Sequence, residues 1–280
     1  MAKGMRIDVA LVTRGLFPSR QQAQTAIMAG EVQIDGRRAS KASDSVNDDN
    51  LLIVAARARY VGRGGTKWEG ALENFNLDCT GRTALDIGAS TGGFTDCLLQ
   101  RGVRKVFAVD VGHGQLAWKI RDDPRVVTLE KCNARHLSRA EIPEPIDLCV
   151  VDVSFISLTL ILPNAFELLT PDGVMLALIK PQFELARADV SRGGIVREPA
   201  LHAKVQTKTG TFATNMGAQV IGFFPSTITG TDGNQEFFIC LRTPSAHSRT
   251  PGTPAPPSWC PRCASNSHSP RSPPSCQQLP

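Results

Sequence analysis

The chain has 280 residues, of which 41% are hydrophobic and 20% charged, enough to bury one sizeable core and a smaller one. No stretch approaches the ~18 consecutive apolar residues of a membrane span; the longest uncharged apolar run, Val153 to Phe166, is broken by polar residues and a proline. No charged-then-apolar leader pattern opens the sequence and the eight cysteines are irregularly spaced, so a cytoplasmic protein with reduced thiols is expected, not a disulfide scaffold. The net charge of +5 is unevenly spread. Residues 1–66 hold 10 Lys and Arg against 6 Asp and Glu (+4), residues 67–242 hold 18 against 20 (−2), and the remainder adds 3 Arg with no acid (+3). A basic first segment beside a near-neutral body suggests that the first part meets a polyanion and the second does something else.

In chain order, Asp8 to Leu16 has helical apolar spacing, ended by Phe17-Pro18. Ser19 is the predicted cap of a second helix, Arg20 to Ala29, and Gly30 closes it with a left-handed turn. Glu31 to Ile34 alternates like a strand, Asp35-Gly36 is a hairpin turn leading into Arg37 and Arg38, and Leu51 to Ala55 is a last short strand. Two short helices against a small sheet, with arginines at helix starts and hairpin, are expected.

The string Arg6-x-Asp8, Ser19-Arg20, Ala26-Ile27, Gly30-x-Val32-x-Ile34-x-Gly36 resembles the RNA-binding domain named after small-subunit ribosomal protein S four. That resemblance implies that Arg6, Ser19, Arg20, Arg37 and Arg38 meet structured RNA. The alternative is a surface helix with solvated arginines.

From Arg82 onward strands and helices alternate. Strands are predicted at Thr83–Gly88, Lys105–Val111, Val126–Glu130, Asp147–Val153, Gly173–Lys180, Val220–Phe224 and Glu236–Leu241. Helices fill the gaps: one follows the first strand through Arg101, and others span Ser157–Leu169 and roughly Pro199–Met216. This rhythm predicts an α/β, Rossmann-like, largely parallel sheet with its ligand at the carboxyl ends of the strands.

The first strand runs into Asp86-Ile-Gly88-Ala89-Ser90-Thr91-Gly92-Gly93-Phe94, a turn through which a ligand can approach the backbone. Ser90 stands where a dinucleotide fingerprint needs glycine, and no Lys-Ser/Thr pair follows, which excludes a P-loop. Asp86 would repel a pyrophosphate but suits a cationic ligand carrying an amino acid, such as S-adenosylmethionine. Asp110 falls about 20 residues on, where a carboxylate takes both hydroxyls of a ribose. Asn133 and Ala134 follow the third strand, where an adenine edge would be read. These positions, Asp86, Gly88 to Phe94, Asp110, Asn133 and Ala134, form the predicted cofactor set.

Four charged residues then stand out: Lys67 after Arg63-Gly-Gly-Thr, Asp152 and Lys180 at predicted strand ends, and Glu236 entering the last strand. Such charges are costly to bury unless function or mutual compensation holds them; a structural ion-pair network is the alternative. Lys-Asp-Lys-Glu in this order resembles the ribose 2′-O-methyltransferases of the FtsJ type. Tyr60-Val-x-Arg-Gly-Gly-x-Lys67, Asp110-Val-Gly, Asp152-Val-Ser-Phe-Ile-Ser-Leu and Leu178-Ile-Lys-Pro-Gln-Phe-Glu are similar to the TlyA family, which joins an S-four-type domain to this fold. The similarity runs from about Met5 to Leu241, with Trp68 replacing a smaller apolar residue and His113 an aromatic one.

The resemblance implies an N-terminal RNA-binding part (1–62), a class I methyltransferase part (63–242), and cytidine in small- and large-subunit ribosomal RNA as target. A ribose hydroxyl is a poor nucleophile, so attack on a sulfonium methyl gains from positioning and proton removal. Lys180 is the candidate base; a free lysine at ~10.4 must fall to ~7–8 to act near neutrality. Lys67 and desolvation would favour that shift, whereas Asp152 and Glu236 oppose it and more naturally orient the lysines. No metal or membrane role is expected.

Residues 243–280, with 10 of the 19 prolines and 8 serines, are expected to be disordered, and Cys260-Pro-Arg-Cys263 lacks two further well-spaced ligands for zinc. Two rival functions stay open: a haemolysin, a label that members of this family carry, and a non-catalytic RNA-binding assembly factor.

Overall fold

The computed structural model describes residues 4–54, 59–191, 193–230 and 232–245. The Pro/Ser-rich segment from 246 onward, with its Cys260 and Cys263, and Ala55 at the end of a predicted strand lie outside the described residues. The N-terminal unit comprises β1 (Met5–Arg6), α1 (Ile7–Thr13), α2 (Arg20–Ala29), β2 (Val32–Ile34), β3 (Arg37–Arg38), β4 (Ser45–Val46) and β5 (Leu52–Val54). Strand β2 pairs antiparallel with β3 and with β5, and β1 with β4. Ser19 Oγ accepts from Gln22 N–H at 3.3 Å and caps α2, while Gly30 closes it at φ 75°. Asp35 and Gly36 turn the β2–β3 hairpin at φ 51° and 81°, the pair of positive angles that a two-residue hairpin loop demands. Ile7, Leu11, Ala23, Ile27, Val32 and Val46 make the small core beneath.

The larger unit runs α3 (Gly64–Asn74), β6 (Thr83–Ile87), α4 (Gly93–Gln100), β7 (Lys105–Val109), α5 (Trp118–Arg121), β8 (Val126–Leu129), β9 (Ile146–Val151), α6 (Leu162–Glu167), β10 (Leu169–Ile179), α7 (Pro181–Glu184), α8 (Pro199–Asn215), β11 (Gln219–Pro225) and β12 (Phe237–Arg242). Its seven strands lie in the order β11-β12-β10-β9-β6-β7-β8. Strands β8, β7, β6, β9 and β10 are mutually parallel, and β12 is inserted antiparallel between β10 and β11. That reversal brings the start of β12 to the same edge as the end of β10. Leu85 and Ile87 join the core cluster on one face, Ala84 the cluster on the other, as alternation along a strand buried on both faces requires.

Two expectations change. The predicted Ser157–Leu169 helix is a 3₁₀ turn at Leu158–Leu160, capped by Ser157, then α6, with Leu169 already in β10. Pro163 fits the first turn of α6, where its missing N–H costs nothing, and this separates the two pieces. Strand β10 starts earlier than predicted, but its pairing with β9 shifts register between Leu169 and Val174, and Asp172 sits at φ 59°. Among the described residues no helix is long and apolar enough to cross a membrane.

Candidate active site

The β6–α4 turn is shaped by contacts that glycine alone permits. A β-carbon on Gly88, at φ 86°, would sit 2.1 Å from the Asp152 carbonyl oxygen, so this glycine lets the ends of β6 and β9 close on each other. A β-carbon on Gly93 would lie 3.0 Å from the Gly62 carbonyl, and one on Gly64 2.9 Å from the Phe94 ring. These glycines seat the start of α3 against the start of α4.

A cleft of about 800 Å³ opens at the carboxyl ends of the parallel strands, a size suited to one nucleoside-bearing ligand. Gly88, Ser90, Asp110, Asn133 and Ala134 line it, as does Asp152. Asp110 accepts from Ser90 N–H at 2.8 Å and Gly112 N–H at 2.6 Å. Its carboxylate is thus aimed by two backbone donors and keeps lone pairs for a diol. Asn133 Oδ1 accepts from Arg135 N–H at 3.1 Å and caps the turn Ala134–His136.

The other predicted cofactor residues do not line that cleft. Gly92, Gly93 and Phe94 are buried in packing, and Phe94 lies 5.5 Å from the Trp68 ring. Thr91 is exposed, and Ala89 lines only a small neighbouring hollow. Asp86 is fully buried: Oδ2 accepts from the Thr95 hydroxyl at 2.6 Å, while Oδ1 has no hydrogen-bond partner among the described residues. Burial raises its carboxyl to about 7, with the nearby Asp152 and Asp110 charges adding to the rise and the Thr95 bond opposing it. An unpartnered buried acid directly before the cleft-lining Ile87 and Gly88 fits a ligand that brings a positive charge.

The predicted tetrad resolves into two lysine–carboxylate pairs. Lys67 Nζ, from α3, donates to Glu236 Oε2 at 2.5 Å; both residues are buried. Lys180 Nζ lies 2.6 Å from Asp152 Oδ1, too steeply angled for a hydrogen bond, and donates to Ser154 Oγ at 2.9 Å. The antiparallel register Ile179↔Phe237, continued one residue, sets Lys180 across from Glu236 and so brings the two pairs to one sheet edge. The arrangement matches lysine with acid, and Glu236 occupies Lys67.

Sequence reasoning missed Ser154, the neighbouring Phe155, which is 91% exposed and lines the cleft, and Glu184, buried behind it. Their signal was their place in the long motifs beside Asp152 and Lys180. The two unusual residues have local explanations. Trp68 is buried between Phe94 and Phe238, and His113 Nδ1 meets Glu130 at 2.8 Å.

In the N-terminal unit, Arg6 and Arg20 are half exposed but tied to the buried Asp8, at 3.0 Å each. Gln24 adds a third donor at 2.7 Å. Arg37 and Arg38 are exposed on β3, with the Arg38 guanidinium lying over Gly30 at the end of α2. Ser19 is accounted for as a helix cap.

The FtsJ-like methyltransferase family matches residues 60–243, and the S4 domain residues 5–51. The 16S/23S rRNA (cytidine-2′-O)-methyltransferase TlyA of Mycobacterium tuberculosis is 46% identical over 245 residues, 87% of this chain and 91% of that one. The chain belongs to the TlyA group of FtsJ-like methyltransferases. Its methyl donor is S-adenosylmethionine. Hemolysin A of Brachyspira hyodysenteriae is a further relative in this group, 40% identical over 83% of this chain and 98% of its own length. A solved structure named as a hemolysin of Streptococcus thermophilus superposes with a TM-score of 0.66 at 42% identity, covering 88% of this chain and 91% of the other.

Proposed function

We propose that the chain methylates the ribose 2′-oxygen of cytidine in small- and large-subunit ribosomal RNA, in the cytoplasm. Residues 1–62 hold structured RNA and 63–242 carry out the transfer. The observation that carries this reading is Lys180 held by Asp152 and Ser154 beside the cleft that Asp110 and Asn133 line. The identity to a cytidine-2′-O-methyltransferase supports the choice of target.

Bound in the cleft, S-adenosylmethionine supplies the electrophilic methyl. Asp110 takes the ribose diol, Asn133 and Ala134 face the base, and Asp86 answers the positive charge of the amino acid part. Lys180 receives the proton of the 2′-hydroxyl as the oxygen attacks, with Asp152 fixing its Nζ. The Lys67–Glu236 pair keeps Glu236 from neutralising Lys180 and holds the start of α3 at the sheet edge. Arg6, Arg20, Arg37 and Arg38 contact phosphates, with Arg6 and Arg20 set at fixed spacing by Asp8.

The haemolysin rival is set aside: "hemolysin" is a name carried within the same family of rRNA methyltransferases. The test is methyl transfer from labelled S-adenosylmethionine to isolated ribosomal subunits, followed by nucleoside analysis. Label in 2′-O-methylcytidine is expected; label on a base, or none with both ligands bound, contradicts the proposal.

A further inference from the structure

One wall of the cleft is the loop after β9: Asp152, Val153, Ser154, Phe155, Ile156 and Ser157 all line it. Phe155 sits at φ 63°, a left-handed conformation that a bulky residue keeps only when its surroundings hold it. The hold comes from one short segment. At its start, Lys180 reaches Ser154 Oγ at 2.9 Å and Asp152 Oδ1 at 2.6 Å. At its end, Glu184, 5% exposed, accepts from the Ser157 hydroxyl and the Leu158 N–H, each at 2.6 Å. Lys208 of α8 lies 3.6 Å from the same carboxylate and donates to the Glu184 carbonyl at 2.6 Å.

A buried carboxylate with two donors in a loop is expensive to maintain unless the loop's position matters, and the mechanism above does not use Glu184. We infer that Glu184 is a positioning residue: by anchoring Ser157 and Leu158 it fixes the cleft wall and holds Ser154 against Lys180. Nζ donates to the Ser154 hydroxyl, the alkyl stem takes a second direction, and the Asp152 carboxylate lies against the amine as an ion pair. That one hydrogen bond fixes the rotation of the amine about its stem, and with it the two directions left for the second N–H and the lone pair once the amine is neutral. Without the anchor the lone pair of Lys180 is no longer aimed. The aiming of Lys180 rests on its assignment as the base; the holding of the wall does not.

The charged groups around Lys180 are Asp152 at the end of β9, Glu236 opposite it across the register, and Lys67 on α3, matched with Glu236. The test compares wild type, Glu184→Ala, Glu184→Gln and Ser154→Ala. Three quantities are read: S-adenosylmethionine affinity by calorimetry, single-turnover methyl transfer to ribosomal subunits across pH, and thermal melting. Glu184→Ala should weaken cofactor binding about tenfold and slow transfer by about tenfold or more, since misplacement of ~1 Å costs up to ~10²-fold. Glu184→Gln, which keeps an acceptor, should recover to within about threefold. Ser154→Ala should melt as wild type yet transfer about tenfold slower, with its pH–rate profile displaced.

Wild-type cofactor affinity in a folded Glu184→Ala overturns the wall role, and a Ser154→Ala profile superimposed on wild type at full rate overturns the aiming role. If Glu184→Ala does not fold, Ser157→Ala, which removes one of the two donors to Glu184, and Ser154→Ala decide: wild-type affinity and rate in both overturn the inference. An inactive wild type would sink the proposed reaction instead, and the calorimetry would still decide the wall role.

Discussion

Two buried aspartates, one in each unit, show how differently an acid can be held. Asp8 in the N-terminal unit is met by Arg6, Arg20 and Gln24, and its carboxyl lies well below the usual carboxylate range, chiefly through the Arg6 guanidinium. Asp86 in the large sheet has one hydroxyl for a partner and an oxygen with none among the described residues, and burial pushes it up to about 7. A carboxylate whose needs are met inside the fold organises structure; one whose needs are unmet is poised for something that arrives.

The contrast can be broken at either end. The largest effect is expected at the cleft: Asp110→Ala removes the acceptor that ties Ser90 and Gly112 to the ligand's ribose position. It should weaken S-adenosylmethionine binding by about 30-fold or more, roughly 2 kcal/mol, by calorimetry. Asp8→Ala should cost the N-terminal unit roughly 2 kcal/mol in urea unfolding, since Arg6 and Arg20 are half exposed and can rehydrate, while cofactor affinity stays unchanged. Because the Asp8 carboxyl is depressed in the fold, its contribution is complete above the unfolded value near ~4 and is lost as pH falls through the depressed value. An acid melt in which the variant and wild type converge only at low pH bears this out.

Asp86 has the opposite sign. With its folded value raised to about 7, the native state holds the extra proton, so stability falls as pH rises from ~4 toward 7 and then levels. A cationic ligand favours the ionised form, so cofactor affinity should rise severalfold from pH 6 to 8 in wild type and stay flat in Asp86→Asn. The smallest effect is expected at the hairpin. Arg37→Ala and Arg38→Ala should each weaken RNA binding a few-fold and lower its salt dependence by about one counterion. Unchanged binding would return these arginines to the role of solvated surface.

Much of the fold is legible in the sequence itself. Alternating β and α segments identify the large sheet, and Asp35-Gly36 and Gly30 announce turns whose positive φ angles the structure bears. The predicted strand ends at Asp152 and Lys180 do lie one residue past β9 and β10. What stays hidden depends on neighbours distant in the chain. Periodicity identifies β12 as a strand but not its reversal between β10 and β11, which is what carries Glu236 to Lys67. Gly88 reads as room for a ligand, yet the atom nearest its missing β-carbon is the Asp152 carbonyl oxygen. Glu184 looks like any surface acid until Ser157 and Leu158 are seen to bind it.

The most direct test of the account is single-turnover transfer of labelled methyl to isolated ribosomal subunits by wild type and Lys180→Ala, with cofactor and RNA affinities measured alongside. Loss of a positioned general base predicts a fall of about 10²- to 10⁴-fold in the variant, with both affinities kept within a few-fold. Transfer at the wild-type rate by Lys180→Ala would contradict the role of Lys180 as base.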